Sequence, residues 1–212
     1  MLADVTTHAT TIPAIAGRNG TRERLMAAAE QLVGVRGSDG VSLEEIARQA
    51  GQANKYAVQY HFGGRSELLQ AILDIRIAQL DVRRRALMED GAVEDVHRAL
   101  TIFVMPLAEQ VDEADGFSFA RFLLQYSLRL TPWPAIAHPL ASAGEGRATL
   151  ELFGRLAGFL PDRTKADVGR RLQQLLQLPL VLLASYEGVR SSPGWRQPLD
   201  ETIAMMAAAI TA

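Results

Sequence analysis

The stretch VSLEEIARQAGQANKYAVQYHFGGRSELL, residues 41–69, carries the clearest structural signal in the chain, two short helical segments in tandem. In the first segment Ser42 and Glu45 have the S-x-x-E spacing of a capping box, in which the serine side chain accepts a hydrogen bond from a backbone N–H of the first turn. Apolar residues then recur at helical spacing until Gly51, which ends the segment after about two turns. The stretch therefore predicts a short capped helix followed by a tight turn.

The second segment is predicted to run from about Asn54 to Phe62, where a glycine pair ends it. A leucine-rich pattern then predicts one long helix from Ser66 to about Met88. Another helix is predicted upstream, from about Thr21 to the glycine-containing turn GVRGSDG. Three short helices ahead of a long one, with a glycine in the turn between the second and third, are typical of a helix-turn-helix.

The second segment has two different faces. On a helical wheel its polar and aromatic side chains fall within an arc of about 140°. They are Lys55, Tyr56, Gln59 and Tyr60. Lysine and glutamine can bind base edges in a major groove, and a tyrosine hydroxyl can reach a phosphate. A solvated helix surface is the simpler explanation of an isolated lysine and glutamine, but it does not explain two exposed tyrosines beside them.

These motifs resemble the TetR family of transcriptional regulators over about residues 21–75. The matching elements are the glycine-ended first helix, VSLEEIARQAG, and YHFGGRSELL, which is similar to the family pattern Y-H-F-x-[SN]-[KR]-x-x-L. The turn GQAN is one residue longer than is common in the family, as in a subgroup with an extended turn. Which of Asn54, Lys55 and Tyr56 would enter the groove therefore stays open.

The resemblance implies a role in DNA binding for eight residues. Those that would face bases are Lys55, Tyr56 and Gln59, with Asn54 as the further candidate in the turn. Those that would hold phosphates are Ser42, Tyr60, His61 and Arg65. A satisfied, buried histidine is an equal alternative for His61, since a regular helix would point it toward the packed side.

The remainder of the chain is also predicted to be helical, so the expected fold class is all-α. The further helices are predicted at about 93–112, 117–130, 135–160, 164–188 and 198–211. We expect a flexible arm at 1–19, a three-helix DNA-binding domain at 20–66 and a larger ligand-binding and dimerisation domain at 67–212. Helices 164–188 and 198–211 have more apolar and small residues than one buried stripe needs, which favours a four-helix bundle between two subunits, although a monomer's own core is the alternative.

Aromatic residues concentrate in the middle of this second domain. Such a cluster is more often plain core than a binding site, but the resemblance implies an effector pocket in this region. The candidate lining residues are Phe103, Phe122, Tyr126 and Trp133. Arg121 and Arg129 flank the cluster and would permit an acidic effector, while a surface position is the simpler interpretation.

Composition limits the other functions. The net charge of −2 and a pI near 6.1 argue against a polyanion-binding surface over the whole chain, so DNA contacts must be local, and residues 18–65 do have seven basic against five acidic residues. No cysteine is present, which excludes disulfides and thiol chemistry and fits the cytoplasm. No secretory signal or membrane span is indicated.

No enzyme motif is found, and the four histidines are scattered without the i, i+4 spacing of a helical metal site, so neither catalysis nor a cofactor or metal is expected. The sequence and the resemblance together predict a homodimeric regulator, a repressor released from a palindromic DNA operator by a small-molecule effector. The alternative is a helical small-molecule sensor that acts through a protein partner without binding an operator.

Overall fold

The computed structural model describes residues 20–112, 116–128, 146–160, 164–189 and 193–211. Within these ranges the chain is helical apart from turns and one isolated bridge between Gly116 and Glu187. The helices are α1 (Thr21–Arg36), α2 (Leu43–Gln49), α3 (Ala57–Phe62), α4 (Arg65–Glu89), α5 (Val96–Ala108), α6 (Ser118–Ser127), α7 (Arg147–Gly158), α8 (Lys165–Ala184) and α9 (Arg196–Thr211), with a 3-10 turn at Pro193–Trp195. The predicted all-α class, with a small N-terminal helical domain ahead of a larger one, is confirmed.

The predicted start of the third helix is wrong by about one turn, because α3 begins at Ala57 rather than near Asn54. Asn54 instead forms a turn, in which its side-chain Oδ1 accepts from the Tyr56 N–H at 2.9 Å and its carbonyl accepts from the Ala57 N–H at 3.1 Å. An asparagine side chain that bonds the backbone two residues ahead competes with helix formation. Lys55 and Tyr56 therefore precede the helix.

The other predicted helices form, with shorter ends in several cases. The long helix extends one residue beyond its predicted start and its predicted end, whereas α5 covers only the central part of 93–112. The described part of the predicted helix 135–160 is α7, and its predicted N-terminal half lies outside the described residues. No helix among the described residues has the combination of length and apolar character that a membrane span requires.

α1 joins the N-terminal helices to the larger domain, since it packs against α2, α4 and α6. Its contact with α6 is close: a Cβ atom at Gly34 would lie 3.0 Å from the Arg121 Cβ and 3.1 Å from the Phe122 backbone nitrogen. A larger residue at Gly34 would therefore push the two helices apart. The position of α1, and of the helices that it supports, is fixed by the larger domain.

A buried network of charged and polar side chains also joins α1 to α4 and α6. The Arg76 guanidinium of α4 binds the Glu30 carboxylate of α1 with two hydrogen bonds of 2.8 and 2.7 Å, and both side chains are almost completely buried. Ser118 of α6 donates to Glu30, and Gln110 accepts from Arg76 at 3.1 Å. Because a buried charge is tolerated only when it is paired, this network holds α1, α4 and α6 in one arrangement.

Candidate functional site

The loop between α1 and α2 supplies the N-terminal cap of α2, the first helix of the helix-turn-helix. The predicted cap is confirmed, as the Ser42 Oγ accepts from the Glu45 N–H at 3.1 Å. The Glu45 carboxylate pairs with the Arg36 guanidinium at 2.8 Å, and this hydrogen bond lowers the pKa of Glu45 against the smaller opposing effect of burial. Ser42 is exposed at the N-terminus of α2, where the helix dipole favours an anion.

The surface of α3 and the turn before it carries five exposed polar or aromatic side chains, which we call the α3 face. They are Asn54, Lys55, Tyr56, Gln59 and Tyr60. Tyr56 is 64% exposed and Tyr60 is 82% exposed, while Ala57 and Val58 on the opposite side are buried in the core. The predicted division into a packed and a solvent-facing side is confirmed.

The side chains of the α3 face also contact one another. The Lys55 Nζ lies 5.2 Å from the centroid of the Tyr56 ring, within the range of a cation–π contact. The Tyr60 ring meets the His61 ring edge to face with centroids 5.0 Å apart, and His61 is half-buried. Two large rings thus protrude into solvent while a lysine and a glutamine lie beside them, which is an arrangement suited to binding another molecule.

Arg22 of α1 holds the end of α3, a role that the sequence analysis did not assign. Its guanidinium lies 4.2 Å from the centroid of the Phe62 ring and donates to the His61 carbonyl. A cation at the C-terminus of a helix is favourable because unpaired carbonyls leave negative charge there. Gly63 follows with φ of 89°, a left-handed conformation that ends the helix at low cost.

Arg65, predicted to hold a phosphate, has its guanidinium engaged within the protein. Its Nη1 donates to the Ser38 carbonyl, and its Nη2 donates to the Val41 carbonyl. These bonds connect the start of α4 to the loop that leads into Ser42. Arg65 therefore positions the N-terminus of α2, whether or not it also contacts a phosphate.

Of the aromatic residues predicted to line a pocket, Phe103 and Phe122 lie in the core and Tyr126 packs against it. Phe103 is buried between α4 and α7, with its ring edge to face with Phe153 at a centroid distance of 5.7 Å. Phe122 stacks on Tyr126 at 5.7 Å, and burial raises the pKa of the half-buried Tyr126. Trp133 lies outside the described residues.

Phe103 lines a small cavity between α4, α5 and α6, and Phe122 and Tyr126 do not. The residue that sequence reasoning missed there is Arg84, a fully buried arginine of α4. Its neighbours in sequence are charged, so nothing in the local pattern distinguished it from a solvated face. Arg121, a sequence candidate for an acidic effector, instead donates to the backbone carbonyls of Ala184 and Tyr186.

Residues 25–72 match the family model of the bacterial regulatory proteins of the tetR family. This range covers most of α1, the helix-turn-helix and the first part of α4, which are the elements that build the α3 face. The chain therefore has a DNA-binding domain of the tetR family type over these residues, and its match is to transcriptional regulators rather than to enzymes. No curated protein matches the chain over its sequence.

Solved structures are similar over nearly the whole chain. The ketosteroid transcriptional regulator KstR2 of Mycobacterium tuberculosis is 18% identical, with a TM-score of 0.59 over 94% of this chain and 100% of that one. A transcriptional regulator from Rhodococcus sp. Rha1 is 24% identical, with a TM-score of 0.49 over 91% and 99% of the two chains. A regulator of Aquifex aeolicus VF5 is 18% identical, with a TM-score of 0.49 over 88% and 99%. The first of these supports the two-domain helical fold.

Proposed function

We propose that this protein is a homodimeric repressor of the cytoplasm that binds a palindromic operator and is released from it by a small-molecule effector. The observation that carries the proposal is the α3 face, where Tyr56 and Tyr60 are largely exposed beside Lys55 and Gln59. Exposed aromatic rings cost free energy in water, and their position on a helix-turn-helix supports contact with DNA.

In this proposal α3 enters the major groove, and the roles divide by position. Lys55, Tyr56 and Gln59 contact base edges, and Asn54 fixes the turn that presents them. Lysine and glutamine side chains have the donors and acceptors that distinguish guanine and adenine in this groove. The contacts to phosphates come from Ser42, Tyr60 and His61 at its borders, with Arg65 holding the loop between α1 and α2.

The dimer is proposed to form through the outer surfaces of α8 and α9, which pack against each other. Leu178 is 44% exposed, Val181 is 55% exposed and Met205 is 61% exposed. Ala204 and Ala208 are also exposed on α9, and small residues allow two helices to approach closely. An apolar surface over two neighbouring helices suits a four-helix bundle between two copies of the chain.

The domain boundaries follow from this division of roles. Residues 20–66 bind DNA and residues 67–212 bind the effector and the second subunit. The arm expected at 1–19 lies outside the described residues. α4 begins directly after the Gly63-Gly64 pair that ends α3. An effector that binds one position of α4 better than another therefore shifts the dimer between two spacings of its α3 helices.

The experiment that tests the proposal is selection of bound duplexes from a random DNA library at two salt concentrations. We expect a palindromic consensus whose half-sites lie about 34–36 Å apart, with lower occupancy at the higher salt. Enrichment of a single half-site would contradict the dimer. No enrichment at either salt would instead favour a sensor that acts through a protein partner.

A further inference from the structure

The cavity in the larger domain combines apolar walls with one cation. It lies between α4, α5 and α6 and has a free volume of about 10 Å³, enough for roughly one water molecule. Six of its seven lining side chains are apolar. The lining residues are Ile77, Leu80, Phe103, Leu107, Phe119, Leu123 and Arg84. A cation in such a wall is unusual, because burying a charge is costly.

The Arg84 guanidinium makes fewer hydrogen bonds than it has N–H donors. Its Nε and Nη2 donate to the Phe103 carbonyl at 3.2 and 2.7 Å, and its Nη1 donates to the Thr149 Oγ1 at 2.8 Å. A guanidinium carries five N–H donors, so one on each terminal nitrogen has no acceptor among the described residues. The guanidinium also lies 4.2 Å from the centroid of the Phe103 ring.

The charge of Arg84 has no directly bonded carboxylate among the described residues. Asp81, one turn earlier on α4, attracts it electrostatically, but the Asp81 carboxylate accepts hydrogen bonds from Thr149 and Arg85. Burial lowers the pKa of Arg84 to about 9, against the opposing effect of Asp81, so the group remains charged at neutral pH. Arg76, the other buried arginine of α4, differs because Glu30 binds it directly.

We propose that the effector of this protein is a small carboxylic acid with an apolar body, whose carboxylate binds Arg84 and whose carbon skeleton occupies an enlarged form of this cavity. A guanidinium and a carboxylate form two parallel hydrogen bonds, for which the two terminal nitrogens have the required donors. A monoanion fits better than a phosphate ester, because the lining offers one cation and six apolar side chains. This inference rests on the effector control proposed above.

The small volume of the cavity explains how such an acid would act. An acid of six or more carbon atoms does not fit into about 10 Å³, so it binds only when α4 moves away from α5 and α6. A ligand that binds one of two states shifts the population toward that state. Since α4 continues from α3, its displacement changes the spacing of the DNA-binding helices in the dimer.

The test compares matched acids and primary amides for binding to the full-length protein without DNA. The panel contains hexanoic, octanoic, decanoic, benzoic and phenylpropanoic acids with their amides, measured by isothermal titration calorimetry. We expect at least one acid to bind about tenfold or more tightly than its amide, as is typical of a charge-assisted hydrogen-bond pair. If no acid binds more tightly than its amide, whether both bind or neither does, the proposal is wrong.

Variants of the protein show whether Arg84 causes the preference for an acid over its amide. Arg84→Met keeps the length of the side chain and should reduce the acid-to-amide ratio about tenfold while the amide still binds. Arg121→Met is the matched control, because Arg121 bonds backbone carbonyls outside the cavity lining, and its ratio should not change. An unchanged ratio in Arg84→Met would overturn the assignment.

A second variant keeps the test valid if Arg84→Met does not fold. Thr149→Val removes one acceptor of Arg84, together with a hydroxyl donor to Asp81, and leaves the cation in place. The affinity for the acid should then rise several-fold, because the ligand replaces a lost hydrogen bond. If Arg84 only ties α4 to its neighbours, Thr149→Val will lower the melting temperature and leave the acid-to-amide ratio at the wild-type value, which contradicts the proposal.

Release from the selected operator, followed by fluorescence anisotropy, separates this inference from the proposed function. An acid that binds through Arg84 without releasing the DNA supports the site and contradicts effector control of this regulator. A neutral amide that releases the DNA as well as its acid does supports effector control and overturns the assignment of an acidic ligand.

Discussion

Lys55 and Gln59 are the two residues of the α3 face whose side chains can distinguish base pairs. If they contact base edges, Lys55→Ala or Gln59→Ala should cost about 1–3 kcal/mol on the preferred operator and less on sequences altered at the contacted position. Anisotropy titrations against the selected operator and its single-base variants measure this difference. Each substitution should relax the preference at one base pair per half-site.

Arg196→Ala is the control for the loss of a positive charge, because Arg196 is exposed at the start of α9 and far along the chain from α3. It should leave base preference unchanged. Retention of full sequence discrimination in both Lys55→Ala and Gln59→Ala would mean that the α3 face does not read bases.

A substitution of Arg65 distinguishes two roles, which are holding the loop before α2 in place and contacting a DNA phosphate directly. Its guanidinium is bonded to the Ser38 and Val41 carbonyls, so Arg65→Ala should loosen the loop before α2 and lower both the melting temperature and the affinity for all DNA sequences. A residue that only positions others leaves the dependence of affinity on salt unchanged. A salt slope that falls by about one would assign Arg65 a phosphate contact instead.

The elements of the helix-turn-helix differ in how far they could be predicted. The cap at Ser42 and the glycine after α3 are local signals, and both form as predicted. The start of α3 was missed because the side chain of Asn54 competes with the helix for the Tyr56 N–H, and a helical pattern alone does not reveal such competition. Arg84 was missed because its burial depends on helices distant in sequence.

The link between α1 and α2 predicts how stability changes with pH. The Arg36 guanidinium lowers the pKa of Glu45 in the folded protein, so the ion pair stabilises the fold above the ordinary glutamate pKa and is lost as the pH falls through the lowered value. Glu45→Gln should therefore lower the melting temperature at pH 7, and its difference from the wild type should shrink as the pH falls below the ordinary glutamate pKa. Thermal unfolding across this range measures the effect.

Glu94→Gln is the control for that experiment, since Glu94 is an exposed acid in the loop before α5. It should change the melting temperature little at any pH. A difference between Glu45→Gln and the wild type that stays the same as the pH falls would assign the effect to packing rather than to the ion pair.

At the scale of the whole molecule, the Glu30–Arg76 network connects the DNA-binding helices to the larger domain. Glu30→Gln leaves the Arg76 charge buried without its counter-ion and should lower the free energy of unfolding by about 3–5 kcal/mol. The double variant Glu30→Leu with Arg76→Met should recover most of the loss, because apolar residues can replace a buried pair. Urea unfolding followed by circular dichroism measures both.

Glu109→Gln provides the matched control, as Glu109 forms a similar bidentate pair with Arg83 that is partly exposed and lies within the larger domain. Its loss should cost about 1 kcal/mol or less. Equal losses of unfolding free energy in Glu30→Gln and Glu109→Gln would show that burial of the Glu30–Arg76 pair does not increase its contribution to stability.

The apolar surface of α8 and α9 predicts the assembly state of the protein. Val181→Lys or Met205→Lys would bury an unpaired cation in the proposed four-helix bundle, so each should convert the dimer into a folded monomer. Val82→Lys is the control, because Val82 is 66% exposed on α4 outside the proposed bundle and should leave the dimer intact. Sedimentation equilibrium gives the molecular mass of each variant, and circular dichroism its helical content.

A palindromic operator needs two linked α3 helices, so the monomeric variants should also lose cooperative binding to it. If both bundle variants remain dimeric, the two subunits meet on another surface.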